Sequence, residues 1–381
     1  MTHIAIVTTS FPIDNSGAEA AGTFVADFAE ELSSRSRVTV LAPGISNKSV
    51  DDKAYKIIYF AVPYLPLSLL NPLNPVNWFY IYQTIKSGQQ AIKSSHLQCS
   101  YDYIFAFWAL PSGYWAWHMM KSHNIQYSIW ALGSDIWSLG KVPIVKNMLK
   151  KVLQDSQICF ADGYKLKKDV EIIAGRECKF MASTRQLNIL DKKNPRGIPP
   201  YRLTFIGRWH SNKGVDLLID ALTRLDHGDW EKIEEVLICG GGPLEKNILH
   251  VVGKLQRQGR PVVCKGYQNK SQASDILMNT DYVLIPSRKE SIPVIFSDAM
   301  QCGVPVVTTP VGDLPVLLNK YKAGILASEA TSQSYYEAIR KSLHTSPEEF
   351  KIGIELAAKE FNLSRAVDYF MDCIDSKICI H

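Results

Sequence analysis

The feature that most constrains the fold is an alternation of short, almost wholly apolar runs with longer amphipathic runs. Runs such as HIAIVTT, YDYIFAF and QYSIWAL in the first half, and YRLTFIG, EEVLICG and DYVLIPS in the second, are apolar at nearly every position. Strands of this kind belong to parallel sheets that are covered on both faces. Their alternation with helical runs predicts a doubly wound α/β fold.

A proline-rich break divides this alternation into two halves. The stretch DKKNPRGIPPY, residues 191–201, holds three prolines, a glycine and a charge cluster, and the alternation starts again after it. A chain of 381 residues also exceeds the size at which one hydrophobic core stops growing. We therefore predict two Rossmann-like domains that face each other across a cleft, residues 1–195 and 196–360. A last helical segment, 361–381, is expected to cross back to the first domain.

Charge and cysteine content narrow the classes of function. The chain has 42 Lys and Arg against 37 Asp and Glu, a net charge of +5, and no long basic block. This mild excess favours an anionic small molecule or an anionic membrane surface, not nucleic acid. The eight cysteines show neither a CxxC pair nor a Cys/His spacing typical of zinc. We expect reduced thiols in a cytoplasmic protein.

Two apolar stretches have the length or position of targeting or membrane segments. The N-terminal MTHIAIVTTSFP lacks a basic leader and a signal-length apolar run, so we do not expect export. Residues 103–120, YIFAFWALPSGYWAWHMM, are barely long enough to span a bilayer, and PSG interrupts them. They are predicted to form a buried strand, a turn and the start of a helix.

Two loops in the second half have the chemistry of an anion site. Ligands of doubly wound folds bind in the loops that follow the carboxyl ends of the strands. After the strand that is predicted to end at Gly207, Arg208 and Lys213 would suit a diphosphate. In LICGGGPLEKNIL, three glycines permit close approach of a ligand, and Pro243 is expected in the first helical turn. Taken alone, each loop is explained equally well by solvated cations or by a tight turn.

A third loop, in RKESIPVIFSDAMQCGVPVV, carries two acids. Glu290 precedes a helix in which Pro293 is the predicted first residue, and Asp298 lies inside the apolar run of that helix. A buried carboxylate needs hydrogen-bond donors, and ligand hydroxyls would supply them. The alternatives are an exposed Asp298 on the polar face and Glu290 in a loop ion pair.

Loops of the first half contribute further candidates. They are small or polar residues at predicted strand ends: Gly17, Gly22, Ser112, Gly113, Gly133, Ser134 and Asp135. Asp135 fits a helix cap and a site residue equally well.

As an ordered set, these motifs resemble the retaining GT-B glycosyltransferases of glycosyltransferase family 4. The resemblance is clearest over residues 203–318 and continues more weakly through SFP…GTFVADFAEEL, FWALPSG and GSDI. It implies an acceptor-binding first domain and a nucleotide-sugar-binding second domain. It also implies transfer of a sugar from a nucleotide-diphosphate donor with retained anomeric configuration, without a metal or a cofactor.

The resemblance also implies roles for individual residues. Arg208 and Lys213 would bind the diphosphate and stabilise it as it leaves, Glu290 would contact the donor sugar, and Asp298 would contact the ribose hydroxyls. The other donor-binding positions would be Gly17, Gly207, Gly241, Gly242, Gly266, Tyr267, Ser291, Ile292, Pro293 and Val294. The acceptor or sugar side would hold Gly22, Ser112, Gly133, Ser134 and Asp135.

Two positions depart from the family pattern. The second acid of the family's E-x7-E motif is Asp298, which is one methylene shorter than Glu. Leu132 stands where many members have a histidine before the Gly-Ser-Asp turn. For this reason no general base is assigned.

The acceptor is indicated only indirectly. Residues 60–93 are rich in Leu, Pro, Trp and Tyr and then become cationic, which would suit a lipid-linked or membrane-proximal acceptor and peripheral contact with anionic lipid. An ordinary proline-rich loop and a core helix explain them as well. By resemblance, a bacterial surface-polysaccharide pathway is the expected setting.

Three alternatives to a glycosyltransferase stay open: a nucleotide-sugar epimerase, a two-lobed solute-binding protein, which should carry an export signal, and a sugar-nucleotide-binding homologue with weak catalysis.

Overall fold

The computed structural model describes residues 1–12, 22–51, 54–65, 67, 70–138, 143–187, 189 and 195–378. Among these residues the chain divides into two compact units, with the divisions after Ala182 and after Asn362. We call residues up to Ala182, together with those from Leu363 onward, the N-terminal domain, and Ser183–Asn362 the C-terminal domain. The candidate Gly17 and residues 191–194 of the predicted linker lie outside the described residues.

Residues 195–201 of the proline-rich stretch belong to the C-terminal domain. The Arg196 backbone N–H donates to Asp281 Oδ1 at 2.8 Å, and the Arg196 guanidinium pairs with Glu234. These contacts fasten residues 195–200 to the second sheet. The division therefore falls earlier in the chain than the border predicted at residue 195.

The N-terminal domain is built on an eight-stranded sheet in the order β3-β4-β2-β1-β5-β6-β7-β8, in which β3 alone of the described strands is antiparallel. Its strands are β1 His3–Val7, β2 Arg37–Gly44, β3 Lys48–Val50, β4 Lys56–Ala61, β5 Tyr103–Phe107, β6 Gln126–Ala131, β7 Ile158–Ala161 and β8 Lys179–Phe180. Its first helices are α1 Thr23–Ser33, α2 Trp78–Gln98, α3 Ser112–His123, α4 Ser134–Trp137, α5 Pro143–Asp155 and α6 Tyr164–Ala174.

The C-terminal domain is built on a six-stranded parallel sheet in the order β11-β10-β9-β12-β13-β14. Its strands are β9 Tyr201–Ile206, β10 Ile233–Cys239, β11 Val262–Lys265, β12 Tyr282–Ile285, β13 Val306–Thr308 and β14 Gly324–Leu326. Its helices are α7 Val215–Leu222, α8 His227–Trp230, α9 Glu245–Arg257, α10 Lys270–Met278, α11 Val294–Cys302, α12 Leu314–Tyr321, α13 Ser332–Ser342 and α14 Lys351–Glu360.

The apolar runs become strands because both faces of each sheet are covered. All five residues of β1 and all five of β5 are buried. On one face, Ala5 and Val7 pack with the inward sides of α2, α3, α5 and α6; on the other, Ile4 and Ile6 pack with α1. The short β3 and β8 were not predicted, since runs of two or three residues carry too little pattern. No helix in the described part of the chain is long and apolar enough to cross a membrane.

Each sheet reverses its strand order once. In the first sheet, β2 and β4 follow on one side of β1, and the chain then returns to place β5 on the other side of β1. In the second sheet, β10 and β11 follow on one side of β9, and β12 lies on the other side of β9. The loops that follow such a pair of strands diverge to opposite faces of the sheet. The carboxyl ends of β9 and β12 are therefore the expected ligand position in the C-terminal domain.

The last helix, α15 Leu363–Ile378, belongs to the N-terminal domain, where it packs beside α1. Phe370 is fully buried, and its ring stacks on Phe105 with the centroids 4.2 Å apart. It also contacts Phe28 and Phe160. At the surface, Arg35 Nε donates to Asp368 Oδ1 at 2.7 Å.

Replacing Phe370 with alanine should destabilise the N-terminal domain by about 3–5 kcal/mol, because the cavity left among the rings of Phe28, Phe105 and Phe160 cannot collapse fully. Denaturant unfolding of the whole chain measures this change. Asp372→Ala, at an exposed position of the same helix, is the matched control and should change the unfolding free energy by less than about 0.5 kcal/mol. Equal losses in the two variants would contradict the packing of α15 described above.

Candidate functional site

The loop after β9 brings Arg208 and Lys213 to the carboxyl edge of the second sheet. The Arg208 side chain is exposed and forms no ion pair with any residue that the structure describes. Lys213 ends a short 3-10 turn, Ser211–Lys213, and Gly214 follows with φ of +70°. A Cβ on Gly214 would lie 1.8 Å from the Pro286 carbonyl oxygen, so only glycine lets this loop approach the loop after β12.

The glycine loop after β10 packs directly against its neighbours. Gly240 and Gly242 have φ of +140° and +145°, and a Cβ on Gly240 would lie 2.0 Å from the Gly207 carbonyl oxygen. Gly241 lies against the Tyr267 ring, and the Tyr267 hydroxyl donates to the Gly241 carbonyl at 2.7 Å. Gly266 differs, because a Cβ there would meet no atom within 4 Å.

The helix after this loop begins later than predicted. Pro243 was expected in the first turn, but α9 begins at Glu245. The Leu244 N–H donates to the Trp209 carbonyl at 3.1 Å, so residues 243–244 are held to the loop after β9 and do not join the helix.

The loop after β12 is tied to the loop after β9 by backbone and side-chain contacts. The Arg288 N–H donates to the Asn212 carbonyl at 2.7 Å, and Arg288 Nη1 lies 2.8 Å from Asp216 Oδ1. Glu290 forms an ion pair with Lys213. The loop ion pair that was the alternative for Glu290 is therefore present, and it joins two residues predicted for the same site.

Near the start of the helix after this loop and in the neighbouring loop, two buried polar atoms have no hydrogen-bond partner among the described residues. Pro293 has ψ of 134° and is the N-cap, so α11 begins at Val294, one residue later than predicted. The Ser291 hydroxyl is buried and has no hydrogen-bond partner among the described residues. The buried Trp209 Nε1 in the neighbouring loop also lacks one. Buried polar atoms without partners, next to the free N–H groups of a helix start, indicate a place for an anionic or hydroxyl-bearing ligand.

Asp298 lies in the second turn of α11 and is almost fully buried, so the alternative of an exposed Asp298 is wrong. Its two oxygens accept from Arg185 Nε at 3.0 Å each, and Arg185 Nη2 lies 2.5 Å from Oδ2. A forked guanidinium suits this geometry. Arg185 was missed by the sequence reasoning, since nothing in MASTRQL marks it as a partner of a helix 113 residues further on.

Further polar contacts hold the Arg185–Asp298 pair in place. Thr184 Oγ1 lies 2.5 Å from Ser297 Oγ, and the Gln301 side-chain amide donates to the Arg185 carbonyl at 2.9 Å. Two successive turns of α11 are thereby fastened to the start of the C-terminal domain. The ribose contact proposed for Asp298 stays a prediction, and any ligand there would meet a carboxylate already bound by Arg185.

The candidate site residues of the N-terminal domain lie in the segments that come after its strands. Gly22 is needed because a Cβ would lie 2.8 Å from Phe11 Cα, and Gly133 has φ of +98°. The Ser112 hydroxyl is fully buried and has no partner among the described residues. Gly113, the next residue of α3, is buried, and Ser134 is exposed.

Asp135 ties two loops of this domain together. Its carboxylate is buried and accepts from the Ala109 N–H at 2.6 Å and from the Leu132 N–H at 3.3 Å. It therefore binds backbone amides after β5 and β6, while Gly133 is the N-cap of α4. Burial raises the pKa of Asp135 to about 6, and the backbone hydrogen bonds oppose this rise without cancelling it.

Part of the C-terminal domain matches a known family model. Residues 200–345 match the family model described as Glycosyl transferases group 1. Among curated proteins, the D-inositol 3-phosphate glycosyltransferase of Corynebacterium aurimucosum is 28% identical over 162 residues, which are 41% of this chain and 38% of that protein. The N-acetyl-alpha-D-glucosaminyl L-malate synthase of Bacillus anthracis is 25% identical over 49% of this chain and 50% of that protein. The matches thus span about half or less of these relatives.

Solved structures match the whole chain. Sucrose-phosphate synthase from Thermosynechococcus elongatus aligns with a TM-score of 0.76 at 15% identity over 100% of both chains. Anabaena HepE in complex with UDP and glucose aligns with a TM-score of 0.71 at 15% identity, over 99% of this chain and 100% of that one. The predicted two-domain α/β fold of the GT-B class is confirmed.

The Arg185–Asp298 pair should be strongly coupled. Asp298→Ala leaves a largely buried guanidinium without its carboxylate and should cost about 3–5 kcal/mol of unfolding free energy. The double variant Arg185→Ala/Asp298→Ala should lose about 2–3 kcal/mol less than the sum of the single variants. The exposed i,i+4 pair Arg224–Asp220 is the matched control, with a coupling below about 0.5 kcal/mol. Similar couplings for both pairs would contradict a special role for the buried pair.

Asp135 should make the stability of the N-terminal domain fall as pH rises. Its folded pKa of about 6 lies above the ordinary value of 3.8, so folding favours the protonated carboxyl. The stabilisation is complete below about pH 4 and is lost as pH passes 6, by on the order of 3 kcal/mol. The measurement is unfolding free energy against pH for the wild type and Asp135→Asn, whose amide does not titrate. Parallel pH curves would contradict the raised pKa.

Proposed function

We propose that this protein is a retaining glycosyltransferase of family 4 that takes its sugar from a nucleotide-diphosphate donor. The donor binds at the loop cluster of the C-terminal domain, which comprises residues 207–214, 240–244, 265–269 and 286–294. The observation that carries this proposal is the position of Arg208, Lys213, Glu290 and Ser291 on the two loops that follow β9 and β12. This is where a doubly wound sheet binds its ligand.

The charges in the cluster suit a diphosphate. Arg208 is exposed and has no ion pair among the described residues, so its guanidinium is available to phosphate oxygens. Lys213 is held by Glu290 beside the start of α11. The N–H groups of that helix start and the Ser291 hydroxyl add donors for the same anion.

In the reaction, the bond between the sugar's anomeric carbon and the phosphate oxygen breaks while the acceptor oxygen bonds to that carbon. Negative charge grows on the departing diphosphate, where Arg208 and Lys213 stabilise it more strongly than in the ground state. Glu290 accepts a hydrogen bond from the donor sugar. The acceptor proton passes to the leaving phosphate on the same face of the sugar, so no separate protein base is assigned and the configuration is retained.

The comparisons support this reaction class without giving the substrates. The names of two relatives describe glycosyl transfer to inositol 3-phosphate and a glucosaminyl malate product, and the HepE complexes hold UDP with glucose or UDP-glucose. We propose a hexosyl donor, which needs no metal since the two cations supply the positive charge. The acceptor is a glycan or a lipid-linked saccharide bound by the N-terminal domain, in bacterial surface-polysaccharide synthesis.

The test is a panel of nucleotide sugars and nucleoside diphosphates, measured for binding by calorimetry and for slow hydrolysis without acceptor. At least one should bind with micromolar to low millimolar affinity and release its nucleoside diphosphate. If none binds at millimolar concentration, the proposal fails. Turnover to an epimeric nucleotide sugar without acceptor would instead identify an epimerase, and binding without any turnover would identify a sugar-nucleotide-binding homologue.

Arg208→Ala and Lys213→Ala should each lower turnover by about 10²–10³-fold, since each removes a donor aimed at charge that develops in the transition state. The thermal unfolding midpoint should stay close to that of the wild type. The control is Lys254→Ala, at an exposed cation on α9, which should leave both turnover and stability unchanged. Full activity in both loop variants would contradict the assigned leaving-group role.

A further inference from the structure

An exposed apolar patch surrounds the start of α2. Five large apolar side chains there are between 60% and 73% exposed: Leu73, Val76, Trp78, Phe79 and Tyr82. They come from the turn before α2 and the first two turns of the helix. Single exposed apolar residues are common on protein surfaces, but five within ten positions mark a surface that meets another phase or molecule.

The patch is held in shape by internal hydrogen bonds. The Leu73 N–H donates to Asn71 Oδ1 at 2.9 Å, and the Val76 N–H donates to Asn74 Oδ1 at 3.1 Å. Trp78 Nε1 donates to the Pro72 carbonyl at 2.8 Å. Three donors of the turn and helix start are thus bonded within the chain, beside the five exposed apolar side chains.

Cations continue along the exposed side of α2. Lys86 and Lys93 follow Tyr82 on that side at helical spacing, and both are exposed. No Asp or Glu occurs anywhere in residues 54–101. An aromatic and aliphatic end followed by lysines is the composition that lies at a membrane interface, with rings at the headgroup level and cations on the phosphates.

Lysines of α5 add positive charge to the layer of helices that contains α2. α2 packs on α3, and α3 packs on α5. On α5, Lys146, Lys150 and Lys151 are exposed. This layer therefore presents lysines on two helices together with the apolar patch.

We propose that this surface, the apolar patch with the lysines of α2 and α5, docks the protein peripherally on an anionic phospholipid membrane. Charge complementarity favours this occupant, because a second copy of the chain would bring like-charged lysines together, and nucleic acid would leave the apolar patch unmatched. The proposal goes beyond the proposed function, since it requires neither donor nor acceptor to be bound.

The experiment is co-sedimentation of the full chain, without nucleotide, with vesicles of phosphatidylcholine alone or mixed with phosphatidylglycerol. The wild type should bind the mixed vesicles and bind phosphatidylcholine far more weakly, and high salt should reduce binding. Lys86→Glu/Lys93→Glu should lower the partition coefficient at least about 25-fold, on the basis of about fivefold for each lysine removed. Val76→Ser/Phe79→Ser/Tyr82→Ser should lower it about a hundredfold or more.

The matched control removes three exposed apolar side chains elsewhere. Ile198→Ser/Ile352→Ser/Leu356→Ser changes positions of the C-terminal domain that are at least half exposed, and this variant should bind the mixed vesicles as the wild type does. Unchanged thermal unfolding of each variant shows that it is folded. In addition, brominated lipid should quench the wild type more than Trp78→Phe, because Trp78 enters the interface.

Three outcomes would overturn the proposal. They are no binding to the mixed vesicles, equal loss in the patch and control variants, or a concentration-dependent dimer that the patch substitutions abolish. The last would show that a second copy covers the surface. Because no nucleotide is present, failure here leaves the nucleotide-sugar measurements unaffected, and their failure leaves vesicle binding unaffected.

Discussion

The close approach of the loop after β9 to the loop after β12 is the contact on which the candidate site depends. Strand order reverses between these two strands, so the loops diverge afterwards and leave room for a ligand at their base. Gly214 permits the approach, because any side chain there would collide with the Pro286 carbonyl. The Arg288–Asn212 hydrogen bond and the Lys213–Glu290 ion pair then fix the loops to each other. Cations, an acid and the Ser291 hydroxyl, which has no hydrogen-bond partner among the described residues, are thereby held at one edge of the sheet.

Glu290 and Asp298, the two acids in the loop and helix after β12, have different surroundings. Glu290 is partly exposed and bound to a neighbouring loop cation, which suits exchange of partners when a ligand arrives. Asp298 is buried and accepts hydrogen bonds from Nε and Nη2 of Arg185. Hydrogen bonds among Thr184, Ser297 and Gln301 lie next to this pair. Its clearest contribution in the structure is to fix α11, whose first residues face the proposed diphosphate. The shorter acid at this position is therefore compatible with a positioning role through α11.

Much of the fold could be predicted, because parallel strands buried on both faces leave apolar runs such as those of β1, β5 and β12. The grouping of Arg208, Lys213 and Glu290 was also accessible, since strand-end loops of one sheet meet at one edge. The start of α9 could not be predicted from the sequence, because it depends on a hydrogen bond from the Leu244 N–H to the Trp209 carbonyl in another loop. Arg185 was missed for the same kind of reason, as its partner is distant in sequence. The apolar surface at α2 was only suggested by composition, and side-chain exposure was needed to show it.

The proposed function depends on binding of a nucleoside diphosphate by the loop cluster of the C-terminal domain. Amide hydrogen exchange, measured with and without a saturating nucleoside diphosphate, tests it most directly, because it reports which backbone segments a ligand covers. Slower exchange is predicted in residues 207–214, 240–244 and 290–296, with little change in the strands of the first sheet. Binding without any slowing in these three segments, or slowing confined to other parts of the chain, would contradict the account.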